Sequence, residues 1–214
     1  MTMPLPTPSW RGRIAYERAR REQLARREAI AAGRAPEAVW LLEHPEVYTI
    51  GRRPVGLLPS PDQLASRGAT LAETERGGLA TWHGPGQLVG YLLFDIGRRG
   101  LGAKRLVWAV EQGLIDWLGQ QGVHAGRRDG LHGVWVGDEK VAALGLHIAN
   151  GITVHGFALN LTPDLSAFDL IVPCGVGGAR TTSVARLRGR APSVEQAAVG
   201  VGRSVVAAIG TVCR

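Results

Sequence analysis

A chain of 214 residues, 45% hydrophobic and 20% charged, can bury one substantial core and does not have the composition of a disordered segment. It has no apolar run near the roughly 18 residues of a membrane span, and its opening MTMPLPTPSW lacks the basic and apolar regions of a secretory signal. Its two cysteines, Cys174 and Cys213, cannot build a disulfide framework, so the expectation is a single domain over 1–214 in a reducing cytoplasm, with no membrane partner.

The net charge of +7 does not by itself indicate a nucleic-acid partner. Much of the excess lies between Arg11 and Arg34, where arginines alternate with glutamates and alanines as on the solvated face of a helix. Zinc-finger spacing and an aromatic RNA-binding signature are both absent from the sequence. A positive field of this kind equally steers an acidic protein towards the surface.

The pattern from Ile14 to Ala32 places Tyr16, Ala19, Gln23 and Leu24 near one stripe and predicts a helix. Ala38 to Leu42 suits a buried strand ended before Pro45, and Val47 to Ile50 resumes extended chain before Gly51. Residues 52–68, rich in Pro, Gly and Arg, read as a surface loop with a short helix. The segment RGGLATWHGPGQ, Arg76 to Gln87, is too glycine-rich for a packed helix and reads as a loop entering a strand over 88–94. Leu106, Val107, Val110, Leu114, Trp117 and Leu118 line one face of a helix.

The period then becomes two. Gly133–Val136, Lys140–Ile148 and Ile152–Leu161, separated by Gly137-Asp138 and Asn150-Gly151, predict a three-strand meander. Residues 163–175 look irregular, and the capping-box spacing of Ser193 and Gln196 opens a last helix through Val201, Val205 and Ile209. The fold class is α+β: one mixed, mostly antiparallel sheet packed with helices.

Several residues could carry chemistry. Glycines in Arg76–Gln87 let backbone amides converge on an anion or a carbonyl oxygen, with His83 among them able to donate or exchange a proton. The segment lacks the ending of a phosphate-binding P-loop. Cys174, between Pro173 and Gly175, sits where one dihedral is fixed and the next is free. That can present a thiol, although burial is the commoner fate of a cysteine and thiolate chemistry needs a nearby cation or base. Of the 25 basic residues only Lys104 and Lys140 are lysines, the side chain that can release its proton when its surroundings demand it. Strand alternation puts Lys140 on the face of Ala142, Leu144, Leu146 and Ile148, and His147 on the other; Lys140 then either snorkels from the sheet edge or enters a site beside Cys174. Ala143 and Gly145, with Gly156 and Ala158 near His155, are small residues on adjacent strands. They leave room either for close packing or for an unbranched ligand.

With these residues in view, the sequence resembles the lipoyl(octanoyl) transferases, octanoyl-[acyl-carrier-protein]:protein N-octanoyltransferases. The matching segments are Leu42–Gly51, Arg76–Gln87, Lys140–Gly145, His155–Asn160 and Val172–Gly175, in the family's order. Trp82 departs from the tyrosine frequent before the histidine, and Asp129 to His132 departs from the usual run into Gly-Val-Trp. The resemblance implies the fold of lipoate and biotin protein ligases. It also implies transfer of an octanoyl group from octanoyl-acyl carrier protein to a lysine of lipoyl domains, those of 2-oxoacid dehydrogenase E2 subunits and the glycine cleavage H protein. Cys174 would be the acylated nucleophile and Lys140 its activating base. Arg76, Gly77, Gly78, Leu79, Ala80, Thr81, Trp82 and His83, with Ala143, Leu144 and Gly145 and with Gly156, Phe157 and Ala158, would bind the acyl group. No metal, cofactor or nucleic acid is implied, and a monomer is expected. The competing readings are an ATP-dependent lipoate or biotin ligase of the same fold, which needs no nucleophilic cysteine, and a non-catalytic module that docks acyl carrier protein or RNA.

Overall fold

The structure is a computed structural model that describes residues 4–53, 58–171 and 180–213. Its main sheet has the strand order β1 (Pro8–Arg13), β2 (Ala38–Glu43), β6 (Gln87–Leu93), β10 (Ile152–Asn160), β9 (Glu139–Ala149), β8 (Leu131–Val136) and β7 (Gly126–Arg128), with the two-residue β11 (Arg180–Thr181) also on β9. Pairing is antiparallel except for β1 with β2 and β11 with β9, so the sheet is mixed and mostly antiparallel.

One face is covered by α3 (Ala103–Gln120) and α5 (Val194–Val212), and the predicted stripe of α3, apart from the half-buried Val107, is buried there with Val39, Leu41, Leu92, Phe157 and Leu159. The other face carries α1 (Tyr16–Ala31), whose Ala19 and Ile30 pack on Trp40, Val89 and Val154. Burial on both faces explains why β2 and β6 read as continuous rather than alternating apolar runs. Ser193 caps α5 with the reciprocal capping box its spacing foretold. The meander is present, and Asn150 and Gly151 make its second turn with φ of 52° and 76°, both in the left-handed region a tight hairpin turn requires.

Two features differ from the sequence reading. There is a second sheet, β4 (Thr70–Glu73), β3 (Val47–Ile50) and β5 (Ala80–His83). A third of the glycine-rich segment is therefore a strand, because Ala80, Thr81, Trp82 and His83 pair in register with Ile50, Thr49, Tyr48 and Val47. β1 was also unforeseen. Its Pro8 packs against α5, where a Cβ on Gly202 would lie 2.6 Å from the proline ring, and tertiary contact outweighs its weak local pattern.

Candidate functional site

A cavity of about 680 Å³ opens where β8 stops pairing with β9 and leaves the second half of β9 without an outer strand. The backbone of Gly77 occupies part of that bare edge, its amide donating to the Leu146 carbonyl at 3.3 Å. Across β9 and β10, Gly145 faces Gly156 and Ala143 faces Ala158. The two small-residue clusters are thus direct cross-strand pairs, and all four residues line the cavity. Neither face of this floor has slack: a Cβ on Gly156 would lie 2.1 Å from the Gly90 carbonyl oxygen, and one on Gly145 3.3 Å from that of Gly77.

The roof is fixed by Arg76. Its guanidinium is buried and donates to the Thr49 hydroxyl and carbonyl and to the Gly77 carbonyl. Gly51, Arg52 and Arg53 donate backbone bonds to Leu79, Arg76 and Gly78. Gly51 has to be glycine, since a Cβ there would sit 2.5 Å from the Gly78 oxygen. These bonds hold the Arg76–Leu79 backbone over the small-residue floor.

Lys140 reaches the same cavity by a route that alternation does not predict. Trp135 pairs with Lys140 while the next residue of β8, Val134, pairs with Ala142, so β9 carries one extra residue. This is a β-bulge. Val141 and Ala142 both enter the helix-side core, whereas Lys140 is turned to the face of Trp135, its Nζ 4.5 Å from the indole centroid. The expected grouping of Lys140 with Ala142, Leu144, Leu146 and Ile148, away from His147, is therefore corrected: the bulge shifts the phase by one residue. Gly133 makes this route possible. Its φ is 119°, and a Cβ there would meet the Ala142 oxygen at 2.7 Å and Lys140 Cε at 3.1 Å. Glu111 of α3 accepts from the Gly133 amide at 3.0 Å. Beside the lysine, Thr181 of β11 pairs with Lys140, and the Thr182 amide donates to the Lys140 carbonyl at 2.9 Å.

The wall opposite is polar and buried. Tyr16, His83, Tyr91 and His155 line it, with His44 and Gln23 behind. His44 donates from Nδ1 to the Ile14 carbonyl at 2.5 Å and accepts from the Tyr91 hydroxyl at 2.7 Å. Burial pushes its pKa down to about 4, and burial, reinforced by the neighbouring His44, pushes that of His83 down to about 3. Burial raises the Tyr16 phenol to about 12. His155 adopts a φ of 62°, which directs its amide to Gln23 Oε1 at 2.7 Å and places its ring 3.5 Å from Glu75. That imidazole holds the Glu75 carboxyl well below the usual range.

Histidines kept neutral by burial make stability depend on pH. Their folded pKa values lie below the roughly 6.5 of an unfolded histidine, so the unfolded chain takes up protons first as the pH falls. This contribution is complete above about pH 6.5 and is lost on the way down through the folded values; for His44 alone, with a pKa lowered to about 4, it amounts to about 3 kcal/mol. The urea midpoint is expected to fall clearly between about pH 7 and about pH 5. A flat midpoint would contradict the neutral buried imidazoles.

Of the residues singled out from sequence, Arg76 to Thr81, His83, Lys140, Ala143 to Gly145 and Gly156 to Ala158 border one cavity. Trp82 does not. It is fully buried in a separate cluster against Phe168 and Tyr48, with Nε1 3.4 Å from Glu46. Alternation within β5 turns Trp82 away while its neighbours face in. Cys174 and its flanking Pro173 and Gly175 lie outside the described residues. Sequence reasoning missed His44, Tyr91 and Glu75, whose apolar or charged surroundings gave no pattern, and the bonding roles of Gln87 and Asn160 in segments it had marked. The described residues contain no cluster of histidine, cysteine and carboxylate side chains able to hold a metal ion, and no helix among them is long and apolar enough to cross a membrane.

Comparison with known proteins places this geometry in context. A family model for the lipoyl protein ligase A/B catalytic domain matches residues 15–203. The octanoyltransferase of Geobacter sulfurreducens is 45% identical over 173 residues, covering 80% of this chain and 71% of that protein. That of Chloroflexus aurantiacus is 41% identical over 214 residues, covering 96% and 93%. Among solved structures, a bipartite lipoate protein ligase from Thermoplasma acidophilum superposes with a TM-score of 0.68 at 17% identity, over 97% of this chain and 83% of that one. A biotin protein ligase from Aquifex aeolicus superposes with a TM-score of 0.60 at 9% identity, over 97% and 72%. At such identities the two structures establish the fold alone.

Proposed function

The chain belongs to the lipoyl protein ligase A/B catalytic domain family and is a transferase, and from that premise we propose that it moves an octanoyl group from acyl carrier protein to a lysine of a lipoyl domain, through a thioester on Cys174. The observation that carries this reading is the bulge that turns Lys140 into a cavity floored by Ala143, Gly145, Gly156 and Ala158. An unbranched acyl chain fits such a floor, and each buried methylene contributes about 0.8 kcal/mol. Support for Cys174 as the partner of Lys140 comes from β11, which returns the chain to pair with Lys140 a few residues after that cysteine. The same reading makes the chain a single catalytic domain over 1–214.

In the first half-reaction Lys140 takes the Cys174 thiol proton, and the sulfur attacks the acyl carbonyl carbon. The new C–S bond replaces the carrier's, and the carrier thiolate leaves and takes up a proton. One thioester replaces another, so the step needs alignment and a thiolate more than driving force. In the second half the substrate amine attacks the acyl carbon, Lys140 accepts the proton lost from nitrogen, and Cys174 leaves as thiolate. The Gly77 amide is committed to Leu146, which leaves the Gly78 amide, at a φ of 95°, and the amides of the His83-Gly84 region as candidate oxyanion donors.

The test is transfer without nucleotide. Octanoyl-carrier protein and a lipoyl domain, incubated with the enzyme alone, are expected to yield the octanoyl amide. Product that appears only with free octanoate and ATP would overturn the reading in favour of a ligase.

A further inference from the structure

The polar wall of the cavity contains a hydrogen-bond chain whose direction is set by a single atom. The Thr182 carbonyl can only accept, so the Asn160 atom 3.0 Å from it is Nδ2. Asn160 therefore presents Oδ1 to Gln87 at 2.9 Å, and Gln87 must donate there with Nε2, which also lies 3.4 Å from the Trp82 carbonyl. The remaining amide atom, Gln87 Oε1, faces His83 Nδ1 at 2.7 Å and can only accept. Nδ1 consequently carries the hydrogen. A neutral imidazole has one N–H, so Nε2 keeps its lone pair, and the ring lines the cavity. The far end of the chain is equally defined, because the Thr182 amide is bonded to the carbonyl of Lys140. One network thus fixes the proton on His83 and anchors the backbone beside Lys140.

We propose that His83 Nε2 accepts one N–H of the incoming primary amine and orients it, and that Asn160 is the positioning residue that fixes the tautomer required. The inference rests on the transferase reading above. A neutral amine has two N–H bonds and one lone pair; an acceptor that holds one N–H without removing its proton leaves the lone pair aimed at the thioester carbon. His83 suits that role because burial keeps it too weak a base to take the proton. The proton goes instead to Lys140 as the C–N bond forms and the bond to Cys174 breaks.

Two measurements on the intact chain test this. Nitrogen NMR of 15N-histidine-labelled wild-type protein is expected to show His83 protonated at Nδ1 and bare at Nε2 from about pH 5 to about pH 8. A proton on Nε2 would overturn the proposal. In single turnovers, Asn160→Leu is expected to slow amine transfer from preformed octanoyl-enzyme by about 10- to 100-fold and to slow acylation, through the loosened Thr182 anchor beside Lys140, by at least about threefold less. Unchanged amine transfer in that variant, or an equal loss in both steps, would also overturn it. If Asn160→Leu does not fold, the wild-type spectrum decides alone. Failure of wild-type enzyme to form any octanoyl-lipoyl domain would instead refute the functional reading and leave the tautomer to be measured independently.

Discussion

A Cys174→Ala chain mixed with octanoyl-carrier protein is expected to keep its own mass, while wild type gains the mass of one octanoyl group. The same substitution should reduce transfer to a lipoyl domain by at least about 10³-fold, since loss of a covalent nucleophile removes both half-reactions together. The readout is intact-protein mass spectrometry before and after the acceptor is added: the octanoyl mass should leave the enzyme as it arrives on the lipoyl domain. A wild-type mass that never changes during active transfer would replace the covalent route with direct attack of amine on the carrier thioester. An active Cys174→Ala protein would assign the nucleophile elsewhere. The alanine removes only a sulfur, so folding is not expected to confuse the result.

The second large effect concerns Lys140. Lys140→Arg preserves a positive charge near Trp135, where the native ammonium lies 4.5 Å from the ring centroid, but a guanidinium does not give up its proton near neutrality. Amine transfer from preformed acyl-enzyme is expected to fall by about 10²- to 10⁴-fold, the range of a lost general base. The rate should regain part of this loss as pH rises and more of the substrate amine becomes neutral. Near-wild-type turnover with a normal pH profile would take Lys140 out of proton transfer and leave it a structural cation. Comparing the two half-reactions separates its roles: a fixed charge suffices to favour the thiolate, whereas only a titrating amine can carry the proton away.

The sequence exposed the parts of the fold whose burial is regular. α1, α3 and α5 follow their stripes, and β2 and β6 appear as apolar runs because both faces are covered. Asn150-Gly151 announced its hairpin through the one requirement no other residue pair meets so readily. The smaller sheet was hidden because β5 lies within glycine-rich chain and β4 is four residues long. Their pairing depends on Tyr48 and Trp82 burying against residues far along the chain, Ala167 and Phe168, which local patterns do not record. At the site, the glycines and the paired small residues were legible because each marks a close approach of backbone. Two assignments failed for the same reason. The facing of Lys140 and the exclusion of Trp82 depend on strand phase, and phase is decided by pairing partners. The tautomer of His83 could not be read from sequence at all, because it is inherited through Gln87 and Asn160 from the carbonyl of Thr182.

The extra residue in β9 has a broader implication. The identity of Lys140 is necessary, but its usefulness is a matter of parity: two residues, Val141 and Ala142, rather than one separate the amine from Ala143, the next residue lining the cavity. Regular pairing of the same residues, without the bulge, would preserve the order of strands and the helices packed on them, yet it would bury the ammonium on the dry side of the sheet. A chain could therefore retain every side chain of the proposed chemistry and lose it by a single step in counting.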